Sequence, residues 1–412
     1  MTPASASAAP VSPNASPLDH GPDSVSRRSS LAVNGGTPVA SEAIPMIAVR
    51  IDDAEIDAAV RVMRSGRLVQ GAVVKEFEAQ FAAATGARFA VACSNGTTAL
   101  QLAYQLLLER DQSALVPGWT FIATASMVRA RPAIPVFADA LHDTCCIDLA
   151  SAEQQMRDST RLIVPVHLYG NPVDIGGVQA FAARHGLKVV YDAAQSHLAS
   201  YNGQPIGAYG DAVTYSFYPT KNMTTGEGGM VTTNDEALAA ELRVVRDHGM
   251  RVRYLHEALG FNYRMTDVFA AIGIEQLRHL PEWTARRRAN AARLDTLLRD
   301  VEGVHLPTTT PGGEHAYHLY TIRLDLDRLS CGRDTFATAL AAEGCGYALH
   351  YPRPLNRQPV FLNDPEIVCP PLPVAERLAE EVLCIPVHPF LTDRQVELVA
   401  EAVTKVADAY RR

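Results

Sequence analysis

The sequence predicts an α/β protein in which a large domain, with a mostly parallel sheet flanked by helices, precedes a small C-terminal α+β domain. Three observations carry that expectation. Between residues 89 and 233, short apolar runs alternate with amphipathic stretches of helical length. The chain has 412 residues, enough for two or three domains at roughly 150 residues each. Beyond residue 300 the pattern changes to a mixture of helices and short isolated strands.

Taken in order, residues 1–38 are rich in Ala, Ser and Pro and offer little to bury, so they read as a disordered tail. They lack the apolar segment of a secretory signal. The large domain is expected over 39–300. Its strands are Phe89–Cys93, Ala114–Val116, Ile134–Phe137, Leu162–Val166, Leu187–Tyr191, Val213–Phe217 and Gly229–Thr233. Helices are expected between them, including Thr97–Leu108 and Phe121–Arg129. Two long helices follow, Glu236–Asp247 and Thr266–Arg299, and Pro281 should bend or restart the second. The polar stretch 248–259 between them reads as a long loop. The small domain is expected over 301–412. It holds strands at Tyr317–Leu324, Tyr347–His350 and Leu383–Ile385, with helices at Asp334–Glu343, Val374–Glu381 and Asp393–Tyr410.

Composition excludes several classes. The net charge is -8, which gives no electrostatic attraction to nucleic acid. No run of eighteen apolar residues suggests a membrane span. The seven cysteines form no C-x-x-C pair, so reduced thiols in a cytoplasmic protein are expected, with no metal site.

In a parallel α/β sheet, ligands bind beyond the carboxyl ends of the strands. Four candidates fall there. Ser94-Asn95-Gly96-Thr97-Thr98 joins a strand to a helix, and its backbone N–H groups suit a phosphate; a plain helix cap by Asn95 or Thr97 is the simpler reading. Asp192 ends an apolar strand, with Gln195 three residues on; a turn cap is the alternative. Lys221 lies five residues past Ser216 and before the glycine run Gly226-Glu227-Gly228-Gly229. A lone lysine is usually a solvated charge, but this one follows a buried strand. Trp119 or Phe121 offers an aromatic face, unless it is simply core. A phosphate turn, a carboxylate for a ring nitrogen, an amine and an aromatic plate together complement pyridoxal 5'-phosphate (PLP).

The segments CSNGTTALQLA, PGWTFIATA, DAAQSH, SFYPTKNMTTGEGGMVTT and GFNYRMTDVFAAIGIEQL occur in that order. Together they resemble the DegT/DnrJ/StrS family of sugar aminotransferases, within fold type I of the PLP enzymes, over about residues 45–410. The resemblance implies that Lys221 links the cofactor and that Asp192 pairs with its pyridine nitrogen. It implies that Gln195 neighbours the ring hydroxyl, and that Gly96, Thr97 and Ser216 hold the phosphate. Phe121 matches the stacking aromatic better than Trp119. Asn262 would reach the phosphate of a partner subunit, so a homodimer with shared sites is implied. His350 and Tyr351, at a strand end in the small domain, are candidate substrate contacts. The expected reaction moves an amino group from an amino acid, L-glutamate by resemblance, to a keto sugar. Glu227 in GEGG points to the C4 ketone of a nucleotide-linked deoxysugar; a C3 ketone and an inosose-type cyclitol are the alternatives. A PLP-binding regulator without catalysis is the rival from another class, but no basic helix-turn-helix pattern supports it.

Overall fold

The computed structural model describes residues 27–412. Seven strands form the central sheet: β1 (Phe89–Cys93), β2 (Ser113–Pro117), β3 (Ile134–Ala138), β4 (Thr160–Ile163), β5 (Lys188–Asp192), β6 (Ala212–Ser216) and β7 (Gly229–Thr233). Their spatial order is β1-β7-β6-β5-β4-β2-β3. Only β7 runs against the rest. β2 and β6 are buried along their whole length, as expected of strands in a sheet covered on both faces. Apolar cores lie on both faces of the sheet.

β1 is an edge strand, and an open edge would expose unpaired backbone groups. Here two helices cover it, Ala72–Thr85 and Glu236–Arg246. Glu78 accepts from the Ala92 N–H at 2.9 Å, and Arg246 donates to the Ala92 carbonyl at 2.6 Å. Arg246 and Glu78 also pair with each other at 2.5 Å, both buried. Arg243 reaches the Ala90 carbonyl at 3.3 Å.

The small domain has a three-stranded antiparallel sheet of β8 (Val304–His305), β9 (Tyr320–Leu324) and β10 (Val382–Ile385). Helices Arg333–Ala342 and Asp393–Tyr410 pack with this sheet in its own core.

Several expectations change. Residues 1–26 of the expected tail lie outside the described residues, but 27–38 are ordered on the small domain. Leu31 is fully buried there. Glu343, also fully buried, accepts from the backbone N–H groups of Ala32 and Val39 and pairs with Lys405 at 2.8 Å. One apolar residue and two backbone donors thus anchor a segment whose composition promised nothing. Pro281 does not restart the long helix, which runs unbroken over Asp267–Leu298. Its first half (Ala270, Ile274, Leu277, Leu280) packs in a core of the large domain, and its second (Ala291, Leu294, Leu298) in that of the small domain. Packing on both sides offsets the hydrogen bond that proline cannot make. The fourth strand is shorter than expected, ending at Ile163, although Val166 still bridges to Asp192. Tyr347–His350 is not a strand; it keeps one bridge, Ala348 to Cys384. Strand pairing of the Tyr317 segment begins only at Tyr320, because Tyr317 takes a positive φ and the chain turns there. The polar stretch after His248 contains a short hairpin, Met250–Val252 with Leu255–His256, and exposes Val252, Tyr254 and Leu259.

Candidate active site

The carboxyl ends of β1, β5 and β6 open into a cavity of about 600 Å³. Its lining includes Gly96, Thr97, Phe121, Asp192, Gln195, Ser216, Lys221, His350 and Tyr351. Nine of the ten residues expected at the site therefore meet. The tenth, Asn262, is exposed and does not line the cavity of its own chain. Behind it, the Tyr263 carbonyl accepts from the Ser94 N–H at 2.9 Å, so this loop backs the Ser94–Thr98 turn.

The helix Gly96–Leu107 begins at that turn. Asn95 caps it by accepting from Thr98 N–H at 2.9 Å, while Thr98 Oγ1 accepts from Asn95 N–H. That box leaves the N–H groups of Gly96 and Thr97 without an acceptor among the described residues. Two free donors at a helix N-terminus make a seat for an anion. A Cβ on Gly96 would lie 2.6 Å from Ser216 Cβ, so only glycine lets the turn approach β6 this closely. A Cβ on Gly229 would meet the Asn95 carbonyl oxygen at 2.2 Å. The Ser216 hydroxyl thus stands beside the two free N–H groups.

Asp192 is buried at the end of β5. Thr124 donates to its Oδ2 at 2.9 Å, and the Ala194 N–H to its Oδ1 at 3.1 Å. Burial raises its pKa; these two donors and the Lys221 charge oppose the rise. A carboxylate held in this way has capacity left for a cation. Lys221 makes no ion pair or hydrogen bond through its amine among the described residues. Burial pushes its pKa down to about 8, with Asp192 opposing. The amine is therefore far closer to its neutral, nucleophilic form at working pH than a surface lysine.

Phe121 stands on the cavity wall, 55% exposed. Trp119 is fully buried, and its Nε1 donates to the Tyr169 hydroxyl at 2.9 Å. Of the two aromatics, Trp119 belongs to the core and Phe121 to the site. Gln195 accepts from the Tyr169 N–H at 2.6 Å and donates to the Tyr351 hydroxyl at 3.2 Å. Residues that the sequence did not single out complete the surroundings. Thr124 supports Asp192. His318 lines the cavity, and its Nδ1 contacts Asn222 Oδ1 at 3.2 Å. Buried His197 lies against Tyr215 and Phe217. Burial pushes its pKa down to about 3, and that of His350 down to about 4. Both imidazoles are thus neutral near the lysine. His197 lies within the DAAQSH segment and Thr124 within PGWTFIATA, which were the available hints.

Two free N–H groups and a hydroxyl suit a phosphate, the unpaired buried carboxylate suits a protonated ring nitrogen, and the depressed lysine suits a carbonyl carbon. The site fits PLP. The model of the DegT/DnrJ/EryC1/StrS aminotransferase family matches residues 49–404. The chain belongs to this family. Like its members, it is a PLP-dependent transaminase. A "pleiotropic regulatory protein" of Geobacillus stearothermophilus is 40% identical over 356 residues, 85% of this chain and 92% of that one. The dTDP-3-amino-3,4,6-trideoxy-alpha-D-glucose transaminase of Streptomyces venezuelae is 38% identical over 361 residues, 86% of this chain and 93% of that one. The crystal structure of DesV from S. venezuelae, with a bound reaction intermediate, superposes with a TM-score of 0.83 at 36% identity, covering 89% of this chain and 99% of the other. The mostly parallel sheet flanked by helices thus matches the fold type I aminotransferases.

Proposed function

We propose that this transaminase transfers an amino group from L-glutamate to the ketone of a nucleotide-linked sugar. The observation that carries this is the unpaired trio of Lys221, Asp192 and the Gly96–Thr97 turn in one cavity, in a chain 38% identical to a dTDP-sugar transaminase. PLP supplies an electron sink for the carbon that bears the amine. Lys221 would hold the cofactor, and its free Nζ would carry a proton to and from the reacting carbon. Asp192 keeps the ring nitrogen protonated, since a cation at that point relieves its own burial. Gly96, Thr97 and Ser216 anchor the phosphate, and Phe121 covers the ring. His350 and Tyr351 face the substrate side. Asn262, exposed on its own chain, would reach the phosphate of a second copy in a homodimer.

Two carbons compete. The S. venezuelae relative is named for a 3-amino sugar, which favours a C3 ketone. Glu227, on the cavity wall, favours C4 by resemblance. The relative matches along most of the chain whereas Glu227 is a single position, so C3 is the reading adopted. A relative named as a regulator does not shift the balance, because Lys221, Asp192 and the phosphate turn are all intact here.

The test is a mass-spectrometric assay of the purified protein with PLP, L-glutamate and a panel of nucleotide-linked 3-keto sugars, 4-keto sugars and free inososes. Amination of a nucleotide-linked 3-keto sugar is expected. Exclusive amination of a 4-keto sugar moves the assignment to C4. Amination of inososes alone, or of nothing, overturns the proposal.

A further inference from the structure

Tyr169 occupies a place that sequence reasoning passed over. It lies just past β4, in a three-residue helical turn, with φ 60° and ψ 0°. A non-glycine residue there is strained, and the surroundings must hold it. They do so through groups of fixed polarity. The indole N–H of Trp119 can only donate, and it donates to the Tyr169 hydroxyl at 2.9 Å. The His350 carbonyl can only accept, and the Tyr169 hydroxyl donates to it. The hydroxyl therefore has one orientation, with its proton committed to the small-domain loop. The Tyr169 backbone is committed as well. Its N–H donates to Gln195 Oε1 at 2.6 Å, which leaves the Gln195 amide nitrogen to donate to the Tyr351 hydroxyl at 3.2 Å. Trp119 also packs edge-on against Tyr351, with ring centroids 6.0 Å apart. Tyr169 is buried and does not line the cavity, whereas Gln195, His350 and Tyr351 do.

We propose that Tyr169 is a positioning residue that locks the His350–Tyr351 loop of the small domain onto the cofactor-bearing wall of the large domain, and so sets the depth at which substrates seat. Through its hydroxyl it fixes the loop backbone; through Gln195 it turns the Tyr351 hydroxyl so that its hydrogen is free to face the cavity. This rests on the transaminase reading above but not on the identity of the sugar.

The test uses the donor half-reaction of the holoenzyme, followed by the loss of the cofactor's visible absorbance on mixing with L-glutamate. Tyr169→Phe removes both the donation to the His350 carbonyl and the acceptance from Trp119, and the glutamate concentration for half-maximal rate should rise about five- to tenfold, roughly the net worth of a hydrogen bond. The limiting rate should change less than threefold, and PLP affinity should stay within twofold. Trp119→Phe removes the donor that orients Tyr169 and should move the same parameter in the same direction. If the two residues act as one chain, the double variant should be no worse than Tyr169→Phe alone. Additive effects, an unchanged half-saturation in Tyr169→Phe, or a loss confined to PLP affinity would overturn the proposal. Should Tyr169→Phe fail to fold, an unchanged half-saturation in Trp119→Phe overturns it and a rise supports it. A wild-type enzyme inert with glutamate would instead indict the choice of donor, a separate outcome.

Discussion

Two regions of the large domain bury charged groups in opposite ways. At the edge of the sheet, Glu78 and the Arg246 Nη1 pair with each other and with the backbone of β1, although Arg246 Nε has no partner among the described residues. At the carboxyl ends of β5 and β6, among the described residues, Asp192 has two donors but no ion pair, the Lys221 amine has no hydrogen-bonded partner, and both ring nitrogens of His197 are unpartnered. Burying a charge is costly unless it is paired. Charges that are paired with each other close a structure, and charges left without an ion-pair partner keep capacity for a ligand. The difference separates a scaffold from a site without reference to any relative.

The sharpest way to break the comparison is at the edge. Glu78→Ala leaves the Arg246 guanidinium and the Ala92 N–H buried without their partner. It should cost about 3–5 kcal/mol of stability, measured by denaturant unfolding, while the folded fraction keeps its cofactor absorbance. A cost below about 1 kcal/mol, the value of an exposed pair, would show that the edge cluster is not closed as described.

In the cavity the effect should fall on rate instead. Asp192→Asn keeps the shape and removes the charge, so the ring nitrogen loses its counter-ion. A change of two pKa units corresponds to ~2.7 kcal/mol, about a hundredfold in rate. Single-turnover mixing with glutamate should show at least that loss, with PLP still bound. Near-normal rates would return Asp192 to the role of a turn cap.

The smallest effect sharpens the picture of Lys221. Burial disfavours its charged form, so the amine is protonated below about pH 8 and neutral above it. Capture of PLP by the apoprotein should therefore quicken as pH rises, about tenfold from pH 7 to a plateau above pH 9, following the neutral fraction of the amine. Stopped-flow traces with a midpoint near 10.5, the ordinary lysine value, would contradict the burial of the amine.

Much of this was legible in the sequence, and for a physical reason. The strands of a parallel sheet are apolar on both faces, so runs such as Ala114–Val116 and Ile134–Phe137 stand out, and polar residues at or just past such strand ends can be read as site candidates. Lys221, Asp192, Ser216 and the Gly96 turn were found that way. What stayed hidden depends on contacts between distant parts of the chain. Tyr169 meets Trp119, Gln195 and His350 across separations of 50, 26 and 181 residues, and nothing in its local pattern announces a left-handed backbone. Thr124 reads as an ordinary helix residue until the fold brings Asp192 to it. Residues 27–38 were misread because composition registers bulk polarity and cannot see one leucine finding a pocket. Pro281 was overweighted because propensity describes an isolated helix, and this one is clamped along its length.

The long helix Asp267–Leu298 belongs to the cores of both domains. The two cores are therefore not free to melt separately. Losing either one strips the apolar face from half of a helix whose hydrogen bonds continue into the other, and an isolated helical segment is marginal in water. The small domain cannot act as a detachable lid that unfolds and refolds over a stable base. Folding cooperativity is built into a single rod of chain, and a mutation near either end of that rod propagates into the melting of the whole molecule.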